Sequence, residues 1–148
     1  MDNFKKTLKI GVTFYLITIV FLTLSIISGV LSLVSSSISL TNLSLLGFLV
    51  FGILSFVFDI IALIELWKGF SLYEDKSNLT ILGKIGLILS VFIIIPTLFI
   101  IGEIFVGITF YDIGKVENNS LIQLGGILAA IPIPFISIIG LIILILSL

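Results

Sequence analysis

The stretch FVFDIIALIELWKGFSLYEDKSNLTILGK, residues 56–84, carries the information that decides how this chain folds. It places Asp59 and Glu65 inside an apolar run, ends that run with a tryptophan and a lysine, and enters the next apolar run with Lys84. Charged side chains are rare and costly in such surroundings. The remainder of the chain is therefore expected to be arranged so that it accommodates them.

The composition indicates a membrane protein. Hydrophobic residues make up 59% of the 148 residues and charged residues 10%, against about 25% charged residues in a soluble domain. Four apolar runs each reach the ~20 residues that a helix needs to cross a bilayer. The sequence predicts an all-α, four-transmembrane-helix bundle, a single membrane domain over residues 1–148 with spans at about 10–34, 43–67, 79–111 and 121–147.

The lysines predict the orientation of these spans. With four spans, Lys115 alone falls on one side, and six lysines fall on the other: Lys5, Lys6, Lys9, Lys68, Lys76 and Lys84. Lysine-rich loops stay on the cytoplasmic side, so we expect a multi-pass plasma-membrane protein with both termini cytoplasmic. The first apolar run is longer than the ~7–15 residues of a signal peptide's apolar core, so it is expected to be a retained span.

Several kinds of chemistry have little support in the composition. The chain has no Cys and no His, which removes thiol chemistry and the commonest general base and metal ligand. Its net charge of −1 does not favour nucleic acid as a partner. We expect no enzyme activity, no cofactor, no metal and no identifiable small-molecule substrate. The expected partners are the lipid bilayer and either other membrane subunits or a second copy of the chain.

Small and hydroxyl side chains follow one face of the first span at helical spacing. Such a face can be a polar pathway or a seam where two helices approach closely, and the seam is the favoured interpretation. The residues are Gly11, Tyr15, Thr18, Leu22, Ser25, Gly29 and Ser32.

Asp59 is the strongest candidate for a functional residue. It shares a helix face with Ser55 and Ala62, so its side chain is expected to face the bundle. By depth along adjacent antiparallel helices, Lys84 is its predicted partner in an intramembrane ion pair. Such a pair can simply fix the register of two helices. Alternatively, Asp59 can act as a carboxylate that binds a proton or a cation.

Three further residues are candidates for contacts or modification. Glu65 lies beside Trp67, a residue typical of the membrane interface, and is expected to reach that interface. Glu103 is expected near the opposite surface, where it can meet Lys115 or a second subunit. Asn118 begins an Asn-Asn-Ser glycosylation sequon, and chance occurrence in a polar loop is the alternative explanation.

The C-terminal hairpin carries a family resemblance. Residues 111–146 read YDIGKVENNSLIQLGGILAAIPIPFISIIGLIILIL, with Tyr111, Gly114, Pro132 and Gly140 at characteristic positions. This pattern resembles a family of small archaeal polytopic membrane proteins known only as a domain of unknown function. The resemblance implies an archaeal plasma membrane and brings no activity with it.

Two functions remain open at this point. The first is a non-catalytic membrane protein, either a structural or accessory subunit of a membrane complex or a self-associating bundle. The alternative is a small ion- or solute-translocating transporter or channel that uses Asp59.

Overall fold

The computed structural model describes residues 2–92 and 96–148, and these residues form six α-helices. The all-α prediction is confirmed. The helices are α1 Asp2–Val34, α2 Ile38–Ser71, α3 Thr80–Ser90, α4 Pro96–Val116, α5 Ser120–Ala129 and α6 Pro134–Ser147.

The two longest helices, α1 and α2, form an antiparallel hairpin. The Ser25 hydroxyl donates to the carbonyl oxygen of Phe48 at 2.9 Å, and the Ser55 hydroxyl donates to that of Thr18 at 3.1 Å. Hydroxyl groups can make these bonds only where the two helices approach closely. The predicted seam on the first span is therefore confirmed at Thr18 and Ser25, which are both buried.

The prediction of one continuous span over residues 79–111 is wrong. The Thr109 hydroxyl donates to the carbonyl oxygen of Leu79 at 2.9 Å, so the two ends of that run touch. The chain folds back between α3 and α4, and α4 begins at Pro96. A proline has no backbone N–H and disfavours a helical residue before it, so it can start a helix but interrupts a continuous one.

The fourth apolar run, residues 121–147, folds back in the same way. The side-chain amide of Asn119, at the start of α5, lies 3.5 Å from the carbonyl oxygen of Ser147, at the end of α6. The turn between the two helices contains Pro132, and α6 begins at Pro134. The predicted single span is therefore wrong as well, and α5–α6 is a short helical hairpin.

Small residues let these hairpins pack backbone against backbone. A Cβ atom added to Gly102 of α4 would lie 2.6 Å from the carbonyl oxygen of Gly86 in α3. One added to Gly107 would lie 2.5 Å from the backbone nitrogen of Ala130 at the end of α5. These helices can be in such close contact only because glycine has no side chain.

Three of the helices in residues 2–92 and 96–148 are long and apolar enough to cross a membrane, namely α1, α2 and α4. The other three have 11, 10 and 14 residues. At 1.5 Å per residue they extend about 15–21 Å, less than the ~30 Å of a bilayer core. The membrane character of the chain is supported, but its helices do not form the predicted arrangement of four long spans.

Candidate functional site

One end of the molecule, here called the lysine end, collects the start of α1 and the ends of α2, α4 and α6. The Lys5 ammonium lies 3.7 Å from Glu117, which follows α4, and Glu117 also accepts a hydrogen bond from Tyr73. Asp112 in α4 accepts one from Ser77. The predicted placement of Lys115 on the opposite side is therefore wrong, because it lies in the last turn of α4 at this same end.

Two acids lie away from the lysine end, in the core. Asp59 of α2 is 1% exposed and Glu103 of α4 is 5% exposed. Asp59 lies on the buried face of α2 with Ser55 and Ala62, as its helical spacing predicts. The expectation that Glu103 reaches the opposite surface is wrong, because the fold-back of α4 carries it into the core.

The predicted ion pair between Asp59 and Lys84 does not form. The Lys84 ammonium pairs with Glu74 in the loop before α3 and lies 5.0 Å from the ring centre of Trp67. Lys84 is in the first turns of α3, so its flexible side chain reaches the polar loop instead of the core. Glu74 is available because the loop folds back over α3.

Among the residues that the structure describes, no cationic side chain pairs with Asp59. Among residues 2–92 and 96–148, neither of its carboxylate oxygens has a hydrogen-bond partner, and the same is true of the buried Tyr15 hydroxyl. A buried polar group without a partner costs about 1–3 kcal/mol. A buried carboxylate without a protein partner therefore needs a physical explanation, such as a bound proton, a water or a functional role.

The two buried acids belong to one cluster. Asp59 and Glu103 both lie near the Tyr15 phenol, and the Ser90 side chain approaches Tyr15 and Asp59, although its single hydroxyl proton is donated elsewhere. The Ser90 hydroxyl donates to the Leu87 carbonyl oxygen at 2.8 Å. We call Tyr15, Asp59, Ser90 and Glu103 the buried acid cluster. The α3–α4 hairpin brings Glu103 back toward α1 and α2.

A cavity of about 770 Å³ lies next to this cluster, with Glu103 in its wall. The tips of both short hairpins border it, and the middle parts of α1 and α2 close the other side. Non-helical backbone at membrane depth is tolerated where it lines such a cavity. The hairpin-tip residues are Val91, Pro96, Pro132 and Pro134.

Sequence reasoning missed Tyr15 and Ser90 as members of the site. The spacing assigns Tyr15 to the helix seam, and Ser90 is a single hydroxyl within a long apolar run. The sequence feature that could have identified both residues is a polar side chain inside an apolar run. The convergence of the cluster residues depends on how four separate helices pack, which spacing along the chain does not record.

The remaining predicted residues lie at the lysine end. The Glu65 carboxylate is 2.8 Å from the Lys68 ammonium, whose side chain is 59% exposed. That Glu65 reaches the membrane interface stays a prediction. Asn118 is exposed in the loop after α4 and has a φ of 51°. Its glycosylation stays a prediction, although its loop lies at the lysine end and not opposite it.

The comparisons with known proteins supply no function for this chain. Comparison with family profiles, with curated protein sequences and with solved structures gave no match. The candidate site is therefore interpreted from its own geometry.

Proposed function

We propose that the protein is a small membrane transporter in which Asp59 takes up and releases a proton. The observation that carries this proposal is the absence of a partner for Asp59 among the described residues, combined with its burial. The register-fixing ion pair was the main structural explanation for Asp59, and Lys84 is engaged elsewhere. Ionisable groups inside membrane proteins commonly mark proton pathways.

A proton suits this cluster better than a metal ion does. Hard cations such as Ca²⁺ and Mg²⁺ require about six to eight oxygen ligands. The cluster provides two carboxylates and two hydroxyl groups, one of which donates to a backbone carbonyl. A single carboxylate can exchange a proton without further ligands, and the Tyr15 hydroxyl, which can donate and accept hydrogen bonds, is near both acids.

The lysine end supports an orientation for this transporter. All seven lysines lie there, and lysine-rich ends stay in the cytoplasm. We therefore propose a multi-pass plasma-membrane protein, not an enzyme, with the start of α1 and the end of α6 on the cytoplasmic side. The resemblance to small archaeal membrane proteins is compatible with this placement.

Proton flux into liposomes tests the proposal. The purified protein is reconstituted with a pH-sensitive dye inside, and a potassium diffusion potential drives uptake. We expect acidification by the native chain, none by Asp59→Asn, and native flux by Glu65→Gln, which removes a carboxylate paired at the lysine end. Absence of flux in the native chain, or undiminished flux in Asp59→Asn, contradicts the proposal.

A second function, a self-associating or accessory subunit, is supported by the far half of the α1–α2 hairpin. There a groove of about 420 Å³ presents Ser28, Ser44 and Gly47 between apolar side chains. Small residues on a lipid-facing surface favour contact with another helix. We expect a dimer in mild detergent that Gly47→Leu converts to monomer, measured by light scattering. A native chain that is already monomeric argues against this function.

A further inference from the structure

The cavity beside the buried acid cluster has the dimensions and walls of a site for an organic molecule. Its volume of about 770 Å³ lies within the range of about 300–1,000 Å³ that small-molecule sites occupy. Three aromatic rings, of Phe48, Phe56 and Phe99, line it together with aliphatic side chains. Aromatic faces attract cations as well as apolar groups.

Glu103 gives this apolar cavity its charge preference. It is 5% exposed and is the one ionisable residue among the described residues that line the cavity. Residues 2–92 and 96–148 supply no hydrogen bond or ion pair to its carboxylate. No lysine shares the wall, so a cation entering the cavity would supply the missing countercharge.

The cavity also opens within the apolar band of the molecule. Ile26 of α1 and Ile53 of α2 line it and are 55% and 64% exposed. Both residues lie in the apolar middle of their helices, far from the lysine end. A ligand would therefore enter from the bilayer, which requires it to dissolve in lipid.

We infer that this cavity binds a lipophilic organic cation, held by the Glu103 carboxylate and by the aromatic walls. The inference deepens the proposed transport function by naming the class of cargo. It rests on that function only in treating the bound cation as a transported molecule. Binding itself can be measured without transport. The two therefore fail separately.

Equilibrium binding of radiolabelled tetraphenylphosphonium to the purified full-length chain in detergent tests the inference. Tetraphenylborate has the same size and shape with the opposite charge, so it serves as the matched control. We expect the phosphonium to bind and the borate to bind at least about tenfold more weakly. Glu103→Gln should weaken phosphonium binding by about tenfold or more, whereas Glu65→Gln should leave it unchanged.

A second variant leaves the charge in place and removes the space. A Cβ atom on Gly52, which lines the cavity, would meet only the Ser25 hydroxyl, at 3.4 Å. Gly52→Leu should therefore fold and abolish phosphonium binding by filling the cavity. Equal binding of the two ions, or undiminished phosphonium binding by Gly52→Leu, overturns the inference even if Glu103→Gln does not fold. Asp59-dependent proton flux would survive that outcome, and the proposed function with it.

Discussion

At the scale of single residues, Asp59 is the buried acid to which the described part of the core offers no countercharge. Its helix face was predictable, since the spacing of Ser55, Asp59 and Ala62 matches a buried stripe. Its partner was not predictable, because depth along two helices does not fix where a flexible lysine side chain goes. The loop residue Glu74 holds Lys84 at the lysine end. The carboxylate of Asp59 therefore remains in the core with Tyr15, Ser90 and Glu103 nearby.

Replacement of Asp59 by leucine should stabilise the protein. The substitution removes two buried oxygens without partners, so we expect the free energy of unfolding to rise by about 1–3 kcal/mol. Thermal unfolding in detergent, followed by circular dichroism, measures the change. Asp112→Leu is the control of opposite sign, because Asp112 accepts a hydrogen bond from Ser77 and its loss should lower stability. A loss of stability in Asp59→Leu would mean that the carboxylate has a partner after all.

At the scale of helices, the two fold-backs are the features that the hydropathy pattern does not predict. An apolar run of about 30 residues satisfies the length of one span, and it equally satisfies a hairpin of two short helices. Pro96, Pro132 and Pro134 mark the breaks in sequence, but a kinked continuous helix is equally compatible with a proline. The glycines that hold the hairpins together meet across distant helices. Spacing therefore showed where the chain is apolar and not where it reverses.

The contact between α3 and α4 should not tolerate a side chain at Gly102. A Cβ atom there would lie 2.6 Å from the Gly86 carbonyl oxygen, so Gly102→Val must push the two helices apart. We expect a destabilisation of about 1–3 kcal/mol, typical of overpacked cores. Gly52→Ala is the matched control, because its Cβ meets the Ser25 hydroxyl at 3.4 Å. We expect that variant to be as stable as the native chain or more stable by up to about 1 kcal/mol, because alanine is favoured over glycine in a helix interior. Equal losses in the two variants would argue that α3 and α4 do not touch in this register.

At the scale of the whole molecule, the positions of the lysines and the two fold-backs of the chain define the same arrangement of helices. The start of α1, the ends of α2, α4 and α6, and all seven lysines share the lysine end, as the contacts of Lys5 with Glu117 and of Asn119 with Ser147 show. With the loops 72–79 and 117–119 at that end, the hairpin tips face the middle of α1 and α2 and enclose the cavity. The proposed proton and cation sites both depend on this fold-back, because a straight third span would carry Glu103 away from Asp59.

Labelling of single cysteines tests the fold-back directly, since the chain has no cysteine of its own. Ser36→Cys, Ser71→Cys and Ser120→Cys place a thiol at three exposed serines, between α1 and α2, at the end of α2 and at the start of α5. A membrane-impermeant maleimide is applied to sealed, oriented vesicles. The hairpin arrangement predicts that positions 71 and 120 react from the same side and position 36 from the other. Reaction of position 120 together with position 36 would restore the four-span arrangement and contradict the buried acid cluster.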